Sequence, residues 1–339
     1  MSEIKVSKLT NRAGTGAPDF SQGLKISGTA LTLLAPTRTE SATEPTSPSN
    51  GDTWYDTAND TYDVYINDEW KRFIGASSVS GRTDFTLTLT SFSSDNTSKT
   101  GFPSTFTGGI IDPTGLLMFV LDYTSDSIIL WNLSTANDIT TATSTSTSVS
   151  VSAQDGVGQG LYVSDDGIEM YHVGNADSVH RYTMSTAWDL STASYVSSWN
   201  MTTNSANISE SSYSGIAFNT DGTKMFACGY SADKMYEFSL STAWDITSAS
   251  HTTGSDLTGP SNSPYNFFFN VSGTELYWMD GGDDKLHRYE LSTAWDLSTA
   301  TKQSDTYYVS GMARGILTMD GTKFITNSNG TFHSHSTGL

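Results

Sequence analysis

From about residue 102 onward, apolar positions fall into short runs that return on a long period. Ile216-Ala217-Phe218 and Phe267-Phe268-Phe269 follow Gly215 and Asn266, and turns carrying Gly222 and Gly273 close them. Gly108 and Gly160 likewise precede runs closed by Gly115 and Gly167, and a fifth turn stands at Gly321. Short apolar runs bounded by turn glycines predict buried strands, glycine supplying positive φ without steric cost. A second strand is expected over Lys224 to Gly229 and Glu275 to Asp280, and a third over Asp233 to Leu240 and Asp284 to Leu291. An acid opens each third strand, at Asp126, Asp177, Asp233 and Asp284. Each third strand then runs into one phrase, Leu133-Ser134-Thr135-Ala136-Asn137-Asp138-Ile139 in its first copy and Leu240-Ser241-Thr242-Ala243-Trp244-Asp245-Ile246 in its third. The four copies begin at Leu133, Met184, Leu240 and Leu291, 51, 56 and 51 residues apart. A β-type period near fifty residues is that of a propeller blade. The phrase reads as the corner into an outer strand rich in Ser, Thr and Tyr.

The buried first strand recurs five times, and the copy near Gly315 ends at Leu339 with only three strands. Within Thr83 to Phe92, Phe85, Leu87 and Leu89 alternate with Thr86, Thr88 and Thr90, the pattern of a strand with one packed face. This segment is therefore expected to supply the missing outer strand of the last blade, against the strand around Thr331 to Ser336. Closing the ring this way removes two open sheet edges. The expected fold is all-β, a five-bladed propeller with a shared closing blade over residues 76–339.

The amino-terminal part differs in kind. Residues 1–50 read as an extended attachment segment and linker, rich in turn formers from Asn11 to Phe20 and in Thr, Ser and Pro from Thr37 to Asn50. Residues 51–75 read as three short strands, with turns at Asn59-Asp60 and Asn67-Asp68. So small a sheet cannot bury Trp54, Tyr62, Val64, Trp70 and Phe73 by itself. These five are the candidate attachment or oligomer surface.

Charge narrows the partners. The chain has 36 acids against 17 lysines and arginines, a net charge of −19, which repels phosphate backbones and anionic lipid. No nucleic-acid partner is expected, and no membrane insertion, since Leu24 to Pro36 is too short and polar to span a bilayer. The lone Cys228 excludes a disulfide framework and reads as a small buried residue. Aspartates that recur in every blade, such as Asp189, Asp245 and Asp296, serve turns rather than catalysis. His180 and His287 fall where other blades carry Ile129 and Tyr236, so they read as packed residues. His333 and His335 share a strand face without an identifiable third ligand, and Asp280 to Asp284 lacks the spacing of a calcium loop. No catalytic residue, metal or cofactor is expected.

A resemblance adds to this. Lys8-Leu9-Thr10-Asn11-Arg12-Ala13-Gly14-Thr15-Gly16-Ala17-Pro18-Asp19-Phe20 with Gly23-Leu24 resembles the leader of many tail-fibre and structural proteins of tailed bacteriophages, marine and cyanobacterial ones especially. Gly51-Asp52-Thr53-Trp54-Tyr55-Asp56 through Tyr65 and Glu69-Trp70 is similar to a small β module lying between virion anchor and distal domain in phage fibres. Asp221 to Phe226 followed by Leu240 to Asp245 resembles repeats of marine phage structural proteins. The resemblance implies a non-enzymatic virion component bound to other virion proteins through residues 1–75. It implies a homo-oligomer, a trimer as in many phage fibres, with the propeller facing a host-surface glycan or protein receptor. Two other functions suit a propeller: a lectin whose loop Tyr and Trp stack on sugars, and a hydrolase of surface polysaccharide.

Overall fold

The computed structural model describes residues 25–26, 29–30, 38–41, 45–46, 53–56, 61–66 and 69–72, and from 84 onward all but 206–207, 260–262 and 309–313. The chain divides into two compact units, Met1–Ser80 and Gly81–Leu339.

The second unit is a five-bladed β-propeller. Blade 1 comprises Phe106–Ile111, Leu117–Asp122, Ser127–Leu133 and Ala142–Ser150, ordered from axis to rim. Blade 2 comprises Gly158–Val163, Glu169–Gly174, Ser178–Met184 and Ala193–Asn200. Blade 3 has Tyr213–Phe218, Lys224–Gly229 and Lys234–Leu240, with its rim in two pieces, Ala249–His251 and Leu257–Thr258. Blade 4 has Pro264–Phe269, Glu275–Asp280, Lys285–Leu291 and Ala300–Tyr308. Blade 5 has Arg314–Leu317, Lys323–Ser328 and Thr331–Ser336, and takes its outer strand from Ser93–Thr100.

The closing strand is thus one turn later than the alternation predicts. Thr83 to Phe92 is not the outer strand. Its described part has no ladder partner and leads, through an extended Thr88, into a 3-10 turn at Leu89–Ser91. Phe85, Leu87, Leu89 and Phe92 are buried among Tyr277, Met279, Leu286, Leu317 and Phe324, between blades 4 and 5. Alternation marks a chain with one packed face, and an unpaired segment wedged between blades has one too. The true outer strand, Ser-Ser-Asp-Asn-Thr-Ser-Lys-Thr, shares its hydroxyl-rich composition with the rim strand of blade 1.

The repeated phrase is an interblade device. Its Asp caps a 3-10 turn, the carboxylates of Asp138, Asp189, Asp245 and Asp296 accepting from the N–H groups of Thr140, Ser191, Thr247 and Ser298. The preceding Asn137, Trp188, Trp244 and Trp295 all hold φ between 56° and 65°. That region costs an L-residue about 1–2 kcal/mol. Each is held there by its N–H donating to the carbonyl of the turn glycine beneath, as Trp244 N to Gly222 O at 2.9 Å. A Cβ on Gly167, Gly222 or Gly273 would enter the indole ring, so these turns need glycine for space as well as for φ. The preceding blade then packs on the corner: Phe119 on Trp188, Phe226 on Trp295, and Tyr171 Oη donating to Trp244 O at 2.7 Å. In blade 5, Phe85 covers Gly321 in the indole's place, and Leu87 N donates to Tyr277 Oη at 2.6 Å. In blade 1, Asn137 Nδ2 reaches Asp320 Oδ2 at 2.8 Å.

In the first unit, Lys25–Ile26 pairs with Thr29–Ala30. A four-stranded sheet follows, Arg38–Ser41 running parallel to Thr53–Asp56, then Thr61–Ile66 and Glu69–Arg72 antiparallel. Part of the stretch read as linker is therefore a strand. It covers the edge that a three-stranded sheet would leave open at Thr53–Asp56.

Candidate functional site

The propeller axis is closed at one end by an arginine. Blades 1 to 4 each carry an irregular register near the start of the inner strand, leaving one residue outside the ladder: Thr107, Gln159, Ser214 and Tyr265. Register aligns Gly108, Gly160, Gly215 and Asn266 with Arg314 of blade 5. The inner strands come so close here that a Cβ on Gly160 would lie 2.9 Å from Gly215 Cα. The fifth blade fills the space that the glycines leave. Arg314 Nη1 donates to the carbonyls of Thr107, Gln159 and Ser214 at 3.0, 2.8 and 3.1 Å, and Nη2 donates to Gln159 Oε1. Its Cζ lies 5.1 Å from the centre of the Tyr265 ring, within cation–π range. One buried guanidinium therefore touches the odd residue of all four other blades. Burial lowers its pKa to about 10, so it stays charged at neutral pH.

The mouth above Arg314 is polar and aromatic. Gln159 Nε2 donates to Asn175 Oδ1 at 2.7 Å and to Ser212 Oγ at 3.3 Å, and Ser212 Oγ donates to Asn175 Oδ1 at 2.6 Å. Tyr230 is exposed and lies parallel to Tyr265, ring centres 6.3 Å apart.

A buried carboxylate sits in the turn between second and third strands of four blades at this same end. In blades 1 and 4 it closes the second strand, Asp122 accepting from Ser125 N and Asp280 from Gly282 N. In blades 2 and 3 that position is Gly174 or Gly229, and the acid comes from the loop before the inner strand. Asp155 accepts from Ala176 N at 2.9 Å, and Glu210 from Ser231 N and Ala232 N at 2.9 and 3.0 Å. A Cβ on either glycine would collide with that carboxylate. The same chemical position is filled from two different places in the chain. Burial first, and these acids next, raise the pKa of Asp177 and Asp233.

At its other end the axis holds a mostly apolar cavity of about 80 Å³, lined by residues including Ile110, Leu161, Ile216, Phe268 and Leu317.

The residues singled out in sequence fall as follows. Trp54, Tyr62, Val64 and Trp70 lie on strands of one sheet, Trp54 opposite Asp63, Tyr62 opposite Tyr55, and Trp70 opposite Tyr65. Phe73 lies outside the described residues. Cys228 is buried, its Sγ 3.2 Å from Ser214 Oγ, and burial pushes its thiol up to about 12. His287 bonds Asp283, and His335 bonds Tyr307 and Thr326. Among the described residues no group of three or more His, Cys, Asp or Glu is placed to hold a metal ion. No described helix is long and apolar enough to cross a membrane. Sequence reasoning missed Arg314, although an arginine at a level held by Gly in three repeats was a legible signal.

His180 faces His172 across two strands of blade 2, rings stacked with centres 4.7 Å apart. Both are buried, and none of the four ring nitrogens has a partner. Burial, then the neighbouring His180, lowers His172 to about 3; burial lowers His180 against the pull of Asp155. Between the unfolded value of 6.5 and about 3 the unfolded chain binds more protons than the folded one. Stability therefore falls as pH falls through that window, by up to about 1.4 kcal/mol per pH unit for each such histidine. Denaturant midpoints of the native chain should drop between pH 6.5 and 4, and drop less in His172→Leu. Equal pH slopes in both would refute this.

No protein-family model matches the chain, and no curated protein matches it in sequence. Solved structures share its strand arrangement distantly. A Lactobacillus plantarum protein is 12% identical with a TM-score of 0.43, over 78% of this chain and 73% of that one. A functionally unknown protein from Desulfotomaculum acetoxidans is 11% identical with a TM-score of 0.42, over 66% of this chain and 62% of that one. A candidate 6-phosphogluconolactonase from Bacteroides fragilis is 15% identical with a TM-score of 0.42, over 74% of this chain and 64% of that one. This chain thus spans less than two thirds of the length of the last two of these proteins.

Proposed function

We propose that the chain is a non-enzymatic structural protein of a tailed-phage virion, attached and self-associated through residues 1–75, with the propeller displayed outward for host-surface recognition. The observation that supports this reading is the closed axis. Arg314 ties the four other blades together at the centre of the ring, which suits a rigid head more than a reaction chamber. The phrase aspartates are likewise engaged as turn caps. The amino-terminal leader and small β module that resemble phage fibres supply the attachment half of the reading.

Two measurements test it. Mass spectrometry of purified particles should find the chain at a fixed copy number. In sedimentation the full chain should be oligomeric and a fragment of residues 81–339 monomeric. A fragment that self-associates as the full chain does would move the oligomer surface onto the blades and overturn the assignment. Release of reducing ends from host polysaccharide by the full chain would favour the hydrolase instead.

A further inference from the structure

Arg314 is only 7% exposed, and among the described residues every acceptor it has is neutral. Among the described residues no carboxylate stands in hydrogen bond or ion pair with it. Two other part-buried arginines among the described residues are paired differently: Arg181 with Glu169, and Arg288 with Glu275 and Asp305. A buried cation left to dipoles is costly, and an anion offered to it gains accordingly.

The bonding is also one-sided. Nη1 faces the three carbonyls, whereas Nη2 donates only to the side-chain amide of Gln159, and Nε has no acceptor among the described residues. Nε and Nη2 form the edge with which a guanidinium grips a carboxylate side-on, as Arg181 grips Glu169 with the same two atoms. Gln159 connects this edge to Asn175 and Ser212 nearer the surface. Beside them lie the parallel rings of Tyr265 and the exposed Tyr230.

We propose that this mouth binds a sugar residue carrying one carboxylate, through Arg314, Gln159, Asn175, Ser212, Tyr230 and Tyr265. The carboxylate meets the Nε–Nη2 edge, the amides and hydroxyl meet ring hydroxyls, and a tyrosine face takes the apolar face of the pyranose. The acids in the surrounding turns, Asp122, Asp155, Glu210 and Asp280, oppose a run of negative charges. An isolated acidic sugar on an otherwise neutral glycan therefore fits better than a polyuronate. The inference rests on the proposed recognition role and names its ligand.

The test is titration of the full chain, followed by calorimetry or ligand-observed NMR, with methyl glucuronide, methyl glucoside, acetate and N-acetylglycine. Methyl glucuronide should bind at least tenfold more tightly than each of the other three. Tyr230→Ala and Asn175→Ala, both at exposed positions, should each weaken it at least fivefold without changing the melting temperature. Equal binding of glucuronide and glucoside, tighter binding of acetate or N-acetylglycine, no binding at all, or variants that bind as the native chain does would each overturn the proposal. Particle analysis keeps the two readings separate. A chain present in virions that ignores glucuronide refutes this site alone, and one that binds glucuronide but is missing from virions refutes the virion role alone.

Discussion

Replacing Arg314 by leucine should lower the stability of the propeller by about 2–5 kcal/mol, because three backbone carbonyls lose their donor at once. Thr107, Gln159 and Ser214 are the residues left out of the pairing register of their blades, and Arg314 Nη1 is the side-chain donor to all three of their oxygens. Water entering the mouth recovers part of the loss, which sets the lower end of the range. The variant also leaves a void at a level where three blades carry only glycine. Guanidinium-induced unfolding of Arg314→Leu, Arg314→Lys and the native chain checks this. Lysine should restore part of the loss, since an ammonium can reach carbonyls but cannot fork to Gln159 and lie flat over Tyr265 as well. A leucine variant within 1 kcal/mol of the native chain would show that the blades hold their ring without a hub.

Repetition made the fold legible, and its exceptions carried what was missed. The second strands Lys224–Gly229 and Glu275–Asp280 lie where the pattern puts them. So do the corners, because a phrase that recurs every fifty residues must do the same work in each blade. The acids expected to open the third strands are instead the left-handed residues of the turns before them, with φ from 46° to 56°. Position in the repeat was readable there, and backbone conformation was not. The closing strand was misplaced because its hydroxyl-rich sequence has no apolar alternation, while the wedge before it does. Asp155 and Glu210 are hidden for a related reason. Each fills, from a different point in the chain, a place that its own repeat position does not announce. Averaging over repeats shows what the blades share, whereas a site is built from what one blade has alone.

The largest effect is expected from removing the closing segment. A fragment of residues 81–339 keeps every element that completes blade 5, and it should unfold in a single cooperative transition. A fragment of residues 102–339 loses Phe85, Leu87, Leu89 and Phe92, all at most 8% exposed. At about 1.5–3 kcal/mol for each buried apolar side chain, their loss approaches the whole stability of an ordinary domain, about 5–15 kcal/mol. It also loses Asp95, which accepts from Lys323 Nζ, Ser334 Oγ and Ser336 Oγ at 2.8, 2.7 and 2.6 Å. Burial opposes the charge on that carboxylate, but these partners hold its pKa down to about 2, so the clasp persists into strong acid. Without Ser93–Thr100, the strand Thr331–Ser336 becomes an open edge able to pair with another chain. The shorter fragment should therefore aggregate and show no cooperative heat-absorption peak in scanning calorimetry. Leu87→Ala in the 81–339 fragment separates packing from pairing: it leaves the outer strand in place and should still cost about 2–5 kcal/mol. If the 102–339 fragment melts as the 81–339 fragment does, the ring closes by blade packing alone, and the wedge and its strand are accessories.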